Sequence, residues 1–126
     1  MNEEQYEFDG NTYLLTKLPL GTAKEVLLRL TQMGLFSGED AGMTDVLSKL
    51  KVKDLDFFED KLFGRHLQLL NDSGTWIPMG KALTSNHFDG RLGAYMHMVA
   101  RGLMYNFSSF LDELHIDALT GATEDE

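Results

Sequence analysis

From Phe88 to Leu114 apolar residues recur at three- and four-residue steps, through Leu92, Tyr95, Met96, Val99, Leu103, Phe107, Phe110 and Leu111. Such steps put every member on one stripe of an α-helix, whereas a strand sends successive side chains to opposite faces. The spacing predicts the longest helix of the chain over 87–115, with Asn86 as its N-cap and Asp89 in the first turn, where the helix dipole favours a carboxylate. Gly90, Gly93 and Gly102 interrupt the pattern, each costing about 1 kcal/mol relative to alanine. They imply close approach of a neighbouring helix or a break near Asn106, so the element reads as helix, kink, helix.

The N-terminus follows a different period. Tyr6 and Phe8 precede Asp9-Gly10, and Thr12, Tyr13, Leu14 and Leu15 follow, which is the pattern of a β-hairpin on a turn whose central residues take positive φ. Two strands alone are marginal in water, so this hairpin must lean on helices or pair elsewhere. After Leu18-Pro19-Leu20-Gly21, the stretch Thr22-Ala23-Lys24-Glu25 has capping-box form and predicts a helix from about Thr22. Its apolar positions are Val26, Leu27, Leu30 and Met33, and Gly34 is its stop. Leu28 falls off that stripe, a hint of a second buried contact.

Residues 37–42 read as a loop, Thr44 to Leu50 as a short helix with Val46, Leu47 and Leu50 inward, and Lys53 to Phe63 as another with Leu55, Phe58 and Leu62 on one side. Residues 65–70, the turn Asn71-Asp72-Ser73-Gly74, and Thr75 to Pro78 make a second hairpin near 66–77, able to join the first in one sheet; Pro78 and Gly80 would end its pairing. The expected fold is α+β and mainly α-helical, with an N-terminal hairpin packed on four to five helices. Residues 1–116 form one domain, and residues 117–126 an acidic, flexible tail.

A chain of 126 residues that is 43% hydrophobic can build one core without staples. It has no cysteine, which removes disulfides, thiolate nucleophiles and cysteine-ligated metals. No stretch approaches the roughly 18 apolar residues of a membrane span, and the acidic start, Met1-Asn2-Glu3-Glu4, is unlike a secretory signal. The expectation is a soluble, unprocessed protein with no membrane partner.

The net charge of −9 belongs to the ends. Residues 1–10 hold four acids, residues 112–126 hold six with no Lys or Arg, and the body between holds ten acids against eleven bases. Scattered bases do not make the clustered basic face that nucleic-acid binding wants. Catalytic candidates are equally thin. The four histidines, at 66, 87, 97 and 115, include no pair at helical ligand spacing. His97 reads as a partly buried structural residue, and His66 and His115 as surface residues. Phosphate-binding, dinucleotide-binding and serine-nucleophile motifs are lacking. No catalytic residue, metal, cofactor or small-molecule substrate is expected, and adjacent acids such as Glu59-Asp60, about 100° apart on a helix, read as a solvated face.

The aromatic density around Asn106, from Tyr105 to Leu111, has two readings. Either the last element is the centre of the domain's own core, or its outer side meets a second chain. Met96, Met98 and Met104 divide the same way, as core filler or as an adaptable docking surface.

One further feature concerns strings rather than periods. Asn86-His87-Phe88-Asp89-Gly90-Arg91-Leu92-Gly93, with Asn106-Phe107-Ser108-Ser109-Phe110 further on, resembles the F-x-G-R … N-F-x-x-F ending of tail assembly chaperones of long-tailed bacteriophages. Leu18-Pro19-Leu20-Gly21-Thr22-Ala23-Lys24-Glu25-Val26-Leu27 resembles the helix opening of the same proteins. The resemblance spans residues 6–114, with these two stretches carrying it. It implies a non-enzymatic, mostly helical phage protein of the host cytoplasm that binds the tape measure protein, keeps it soluble until tube subunits polymerise around it, and is absent from the mature virion. It also implies a longer frameshifted product, diverging near the acidic end from Ala122 to Glu126.

Recognition of a long, coil-forming partner suits a helix-in-groove mode, with self-association a further expectation. Phe88, Leu92, Tyr95, Met96, Val99, Met104, Phe107 and Phe110 are the residues expected to supply the apolar contacts or the core beneath them. The competing expectation is an acidic phage-encoded inhibitor of a host nuclease or defence complex, weakened because half the acids lie at the chain ends.

Overall fold

The computed structural model describes residues 3–34 and 48–124, with side chains through Ser108. Four strands form one antiparallel sheet in the order β1 (Glu3–Phe8), β2 (Asn11–Thr16), β3 (Gly64–Leu70), β4 (Trp76–Met79). Asp9 at φ 54° and Gly10 at φ 80° make the first turn, which sets Tyr6 opposite Tyr13. The two hairpins do share a sheet, joined through Tyr13↔Leu69 and Leu15↔Leu67. Pro78 lies inside β4 and not at its end. An edge strand tolerates it, because one side of the strand needs no ladder donor.

Among the described residues there are four helices: α1 (Leu20–Gln32), α2 (Val52–Leu62), α3 (Lys81–His87) and α4 (Leu92–Glu124). The fold is α+β, as the two periods imply. α1 starts two residues before the expected capping box, and no side chain caps it. Pro19 instead holds an extended conformation, and its carbonyl accepts from Ala23 N–H at 2.8 Å. The stop is as expected: Gly34 sits at φ 110°. Leu28 is exposed, so the second buried contact anticipated for it is absent from the described fold. The loop at 37–42 and most of the helix expected over 44–50 lie outside the described residues, while Ser48 and Lys49 form a turn.

The structure departs furthest from the expected elements in the last third of the chain. Asn86 and His87 close a separate helix, α3, and Phe88 to Gly90 form a turn with Gly90 at φ 72°. Asn86 is therefore no N-cap, and α4 begins after Arg91, whose carbonyl accepts from Tyr95 N–H. α4 also passes Asn106 without a break and runs on to Glu124 instead of ending at 115. Asn106 is held there by its own side chain, which donates to the Gly102 carbonyl and accepts from Leu18 N–H at 2.9 Å. Once a helix is nucleated each added residue costs little, and no proline stops it.

One core lies between the sheet and the helices, built from Tyr13, Leu15, Leu67 and Met79 of the strands, Val26 and Leu30 of α1, Phe58 and Leu62 of α2, and Met98, Val99, Leu103 and Phe107 of α4. α4 is thus central, which accounts for much of its apolar content. Gly102 faces α2, where an added Cβ would meet Leu62 Cδ1 at 3.5 Å, an ordinary contact.

Candidate functional site

α3, the turn after it and the start of α4 meet α2 around an open cleft of about 500 Å³. Its walls are Glu59 of α2, Thr84 and Ser85 of α3, Phe88 and Gly90 of the turn, and Leu92 and Tyr95 of α4. The backbone explains the shape. Thr84 is buried and donates its hydroxyl to the Met79 carbonyl at 3.2 Å, tying α3 to β4. Phe88 N–H then bonds the Thr84 carbonyl, and Gly90 turns the chain at a positive φ that an L-residue would resist.

Phe88 forms the floor. Its ring lies 6.3 Å from Phe63 and 5.8 Å, edge to face, from Tyr95, and Tyr95 stands 5.9 Å from Phe63. Such tilted and T-shaped pairs suit the quadrupoles of the rings and hold all three in place. Tyr95 donates its hydroxyl to Glu59 Oε1 at 2.8 Å. Burial, and then that bond to a carboxylate, push the phenol well above its ordinary range, so it stays a donor. The turn is anchored from the sheet side: Arg91 donates to Asp9 of the hairpin turn at 2.7 Å and to the His87 carbonyl at 3.1 Å.

A smaller cleft of about 180 Å³ adjoins the first through Glu59 and is lined by Asp56, Asp60, Gly64, Met79, Gly80 and Lys81. Of the Glu59-Asp60 pair, read from sequence as a solvated face, Glu59 borders both hollows and Asp60 the smaller one.

Of the eight residues expected to contact a partner, three line the main cleft: Phe88, buried at 6% exposure; Tyr95, half-buried; and Leu92, 67% exposed. Val99 and Phe107 are enclosed in the core, Met96 is half-buried, and Met104 is exposed at 36%. Met98, and not Met96, is the fully buried methionine of α4. The Phe110 side chain lies outside the described residues. Sequence reading missed Glu59, Thr84 and Ser85, because Glu59 meets Tyr95 across 36 positions and no local pattern couples them.

Three of the four histidines are used elsewhere, and the side chain of the fourth, His115, lies outside the described residues. His97 stacks on Phe8 at 3.8 Å and shares a 2.6 Å hydrogen bond with the Tyr6 hydroxyl, as a half-buried structural residue should. His87 pairs in the same way with Tyr13 at 2.8 Å, and His66 with Thr16 at 3.2 Å. Among the described residues no group of three or more His, Asp or Glu is placed to hold a metal ion, and no helix is long and apolar enough to cross a membrane. What the main cleft offers is an apolar floor, an exposed leucine at its rim and a carboxylate at its wall: a surface suited to receiving side chains. A scan against protein-family models, a search of curated proteins and a search of solved structures each return no match.

Proposed function

We propose that this protein acts by stoichiometric binding, as a tail assembly chaperone that holds the tape measure protein soluble during phage tail morphogenesis. One observation carries the reading: the stretch Asn86–Gly93, which bears the resemblance to that family, contributes Phe88, Gly90 and Leu92 to the apolar cleft, leaving Leu92 largely in solvent. An apolar groove of this kind can accept the apolar face of an amphipathic helix. Self-association belongs to the same reading.

DNA mimicry has less support, because four acids spread over the described residues are matched to bases: Asp9 to Arg91, Glu4 to Arg101, Glu25 to Lys61 and Asp54 to Arg29. A mimic needs its carboxylates unmatched and in rows.

The test is co-expression with the tape measure protein that this reading gives it as partner. The soluble yield of the latter should rise, and the two should co-purify. Leu92→Asp should abolish both effects while the chaperone itself stays folded. An unchanged yield together with no co-purification would overturn the proposal.

A further inference from the structure

Charge is unevenly divided along α2. The cleft at its N-terminal end is lined by Arg29, Lys49, Lys51 and Lys53 with Asp54. The two joined clefts at its other end carry Asp56, Glu59 and Asp60 against a single lining base, Lys81. The other cations nearby are committed: Lys61 lies 2.9 Å from Glu25 and 3.8 Å from Asp60, and Arg91 is held by Asp9. Asp56 has no ion pair among the described residues. The apolar hollow of Phe88, Leu92 and Tyr95 therefore continues into a hollow walled by three carboxylates, with Glu59 at the seam.

We infer that the occupant of this double cleft is an amphipathic helix of the partner that carries lysine or arginine beside its apolar anchors. The inference rests on the binding reading above and specifies its partner. Leucine-sized side chains fill the Phe88 end, and a cationic side chain one turn away reaches Asp56, Glu59 and Asp60. An acidic helix would meet like charge at the same place, so selectivity comes from repulsion as much as attraction. Such a preference keeps the acidic chain from taking up its own carboxylate-rich ends.

The probe is a fluorescein-labelled synthetic helix with leucines at i, i+3, i+4 and i+7 and lysines flanking them, compared with the same peptide carrying glutamates, titrated with the full chain and read by anisotropy. The lysine peptide should bind at least about tenfold more tightly, a gap that narrows when salt rises from about 50 mM to about 500 mM. Asp56→Asn with Asp60→Asn should bring the two peptides within about threefold of each other, with the melting temperature showing that the fold is kept. Leu92→Asp should weaken both peptides.

Equal affinities, or a lysine preference that survives the double substitution, would overturn the inference. So would sedimentation showing a second copy in the cleft, as a dimer that Leu92→Asp dissociates. If co-expression solubilises the tape measure protein and the double substitution leaves that yield untouched, the charge inference fails and the chaperone reading stands. If the peptide preference appears while co-expression does nothing, the reverse holds.

Discussion

The two sides of α4 are built on different principles. Toward the sheet it is tied by directional contacts: His97 to Tyr6 and Phe8, Arg101 to Glu4, the Tyr105 carbonyl to Lys17, Asn106 to Leu18 N–H, with Arg91 just before the helix tied to Asp9. Toward α2 its contacts are ring edges and Leu62 against Gly102, with the Tyr95 hydroxyl, bonded to Glu59 and 3.5 Å from the Leu55 carbonyl, as the polar exception among the described residues. Directional bonds fix one register and exclude others. Apolar contacts tolerate a gap wherever a neighbouring element stops short, and α3 stops short at His87. The α2 side keeps a hollow.

That contrast can be broken by substitution. Phe107→Ala, inside the core, should cost about 3–5 kcal/mol in denaturant unfolding. Leu92→Ala at the cleft rim should stay within about 0.5 kcal/mol. Similar losses at both positions would mean that the cleft is core. Gly90→Ala forces a side chain into positive φ and should cost about 1–2 kcal/mol, whereas Gly93→Ala, with open space around its added carbon, should gain up to about 1 kcal/mol from helix propensity. A gain at both would remove the turn from the account of the cleft.

On the sheet side, Tyr6→Phe should lose about 1 kcal/mol with the bond to His97. Tyr105→Phe should be neutral or slightly stabilising, because the Tyr105 hydroxyl is buried without a hydrogen-bond partner among the described residues. Matched melting curves decide it, and a larger loss at Tyr105 would contradict the stitching described here.

The smallest effect is that of pH. Burial, then the Arg91 charge, holds the His87 imidazole below its ordinary 6.5; burial, then Arg65, does the same for His66. Both rings bind protons less readily folded than unfolded. Their contribution is therefore complete above 6.5 and is lost as pH falls through the lowered folded values. The melting temperature should drop between about pH 7.5 and about pH 5, and His87→Gln should flatten that slope. An unchanged slope would show that His87 is not part of it.

Local patterns carried the hairpin at Asp9-Gly10, the α1 stop at Gly34, the second hairpin and α2, each depending on neighbours in sequence. Where the reading failed, two local signals competed. Asn86 and Asp89 look like a helix start, yet Gly90 at positive φ ends one helix turn and begins another. The capping box at Thr22 lost to Pro19, whose fixed φ already suits the residue before a helix. The cleft was half legible: Phe88, Leu92 and Tyr95 sat on the apolar repeat, but the repeat gives no sign of which members face outward. Glu59 and Thr84 left no trace, since their roles arise from α2 and β4 arriving from elsewhere in the chain.

By itself the sequence determined the periods: two for the paired hairpins, three and four for the helices, with an uneven placement of acids at the ends. Those are properties of residues a few positions apart, set by backbone geometry and side-chain size. Tertiary structure alone decided that α4 would be central, that Val99 and Phe107 would be enclosed while Leu92 stands in solvent, and that Glu59 would border an apolar hollow with Asp56 and Asp60 lining the smaller one beside it. Burial depends on which surfaces pack together, and a stripe of apolar residues looks the same along the chain whichever partner covers it.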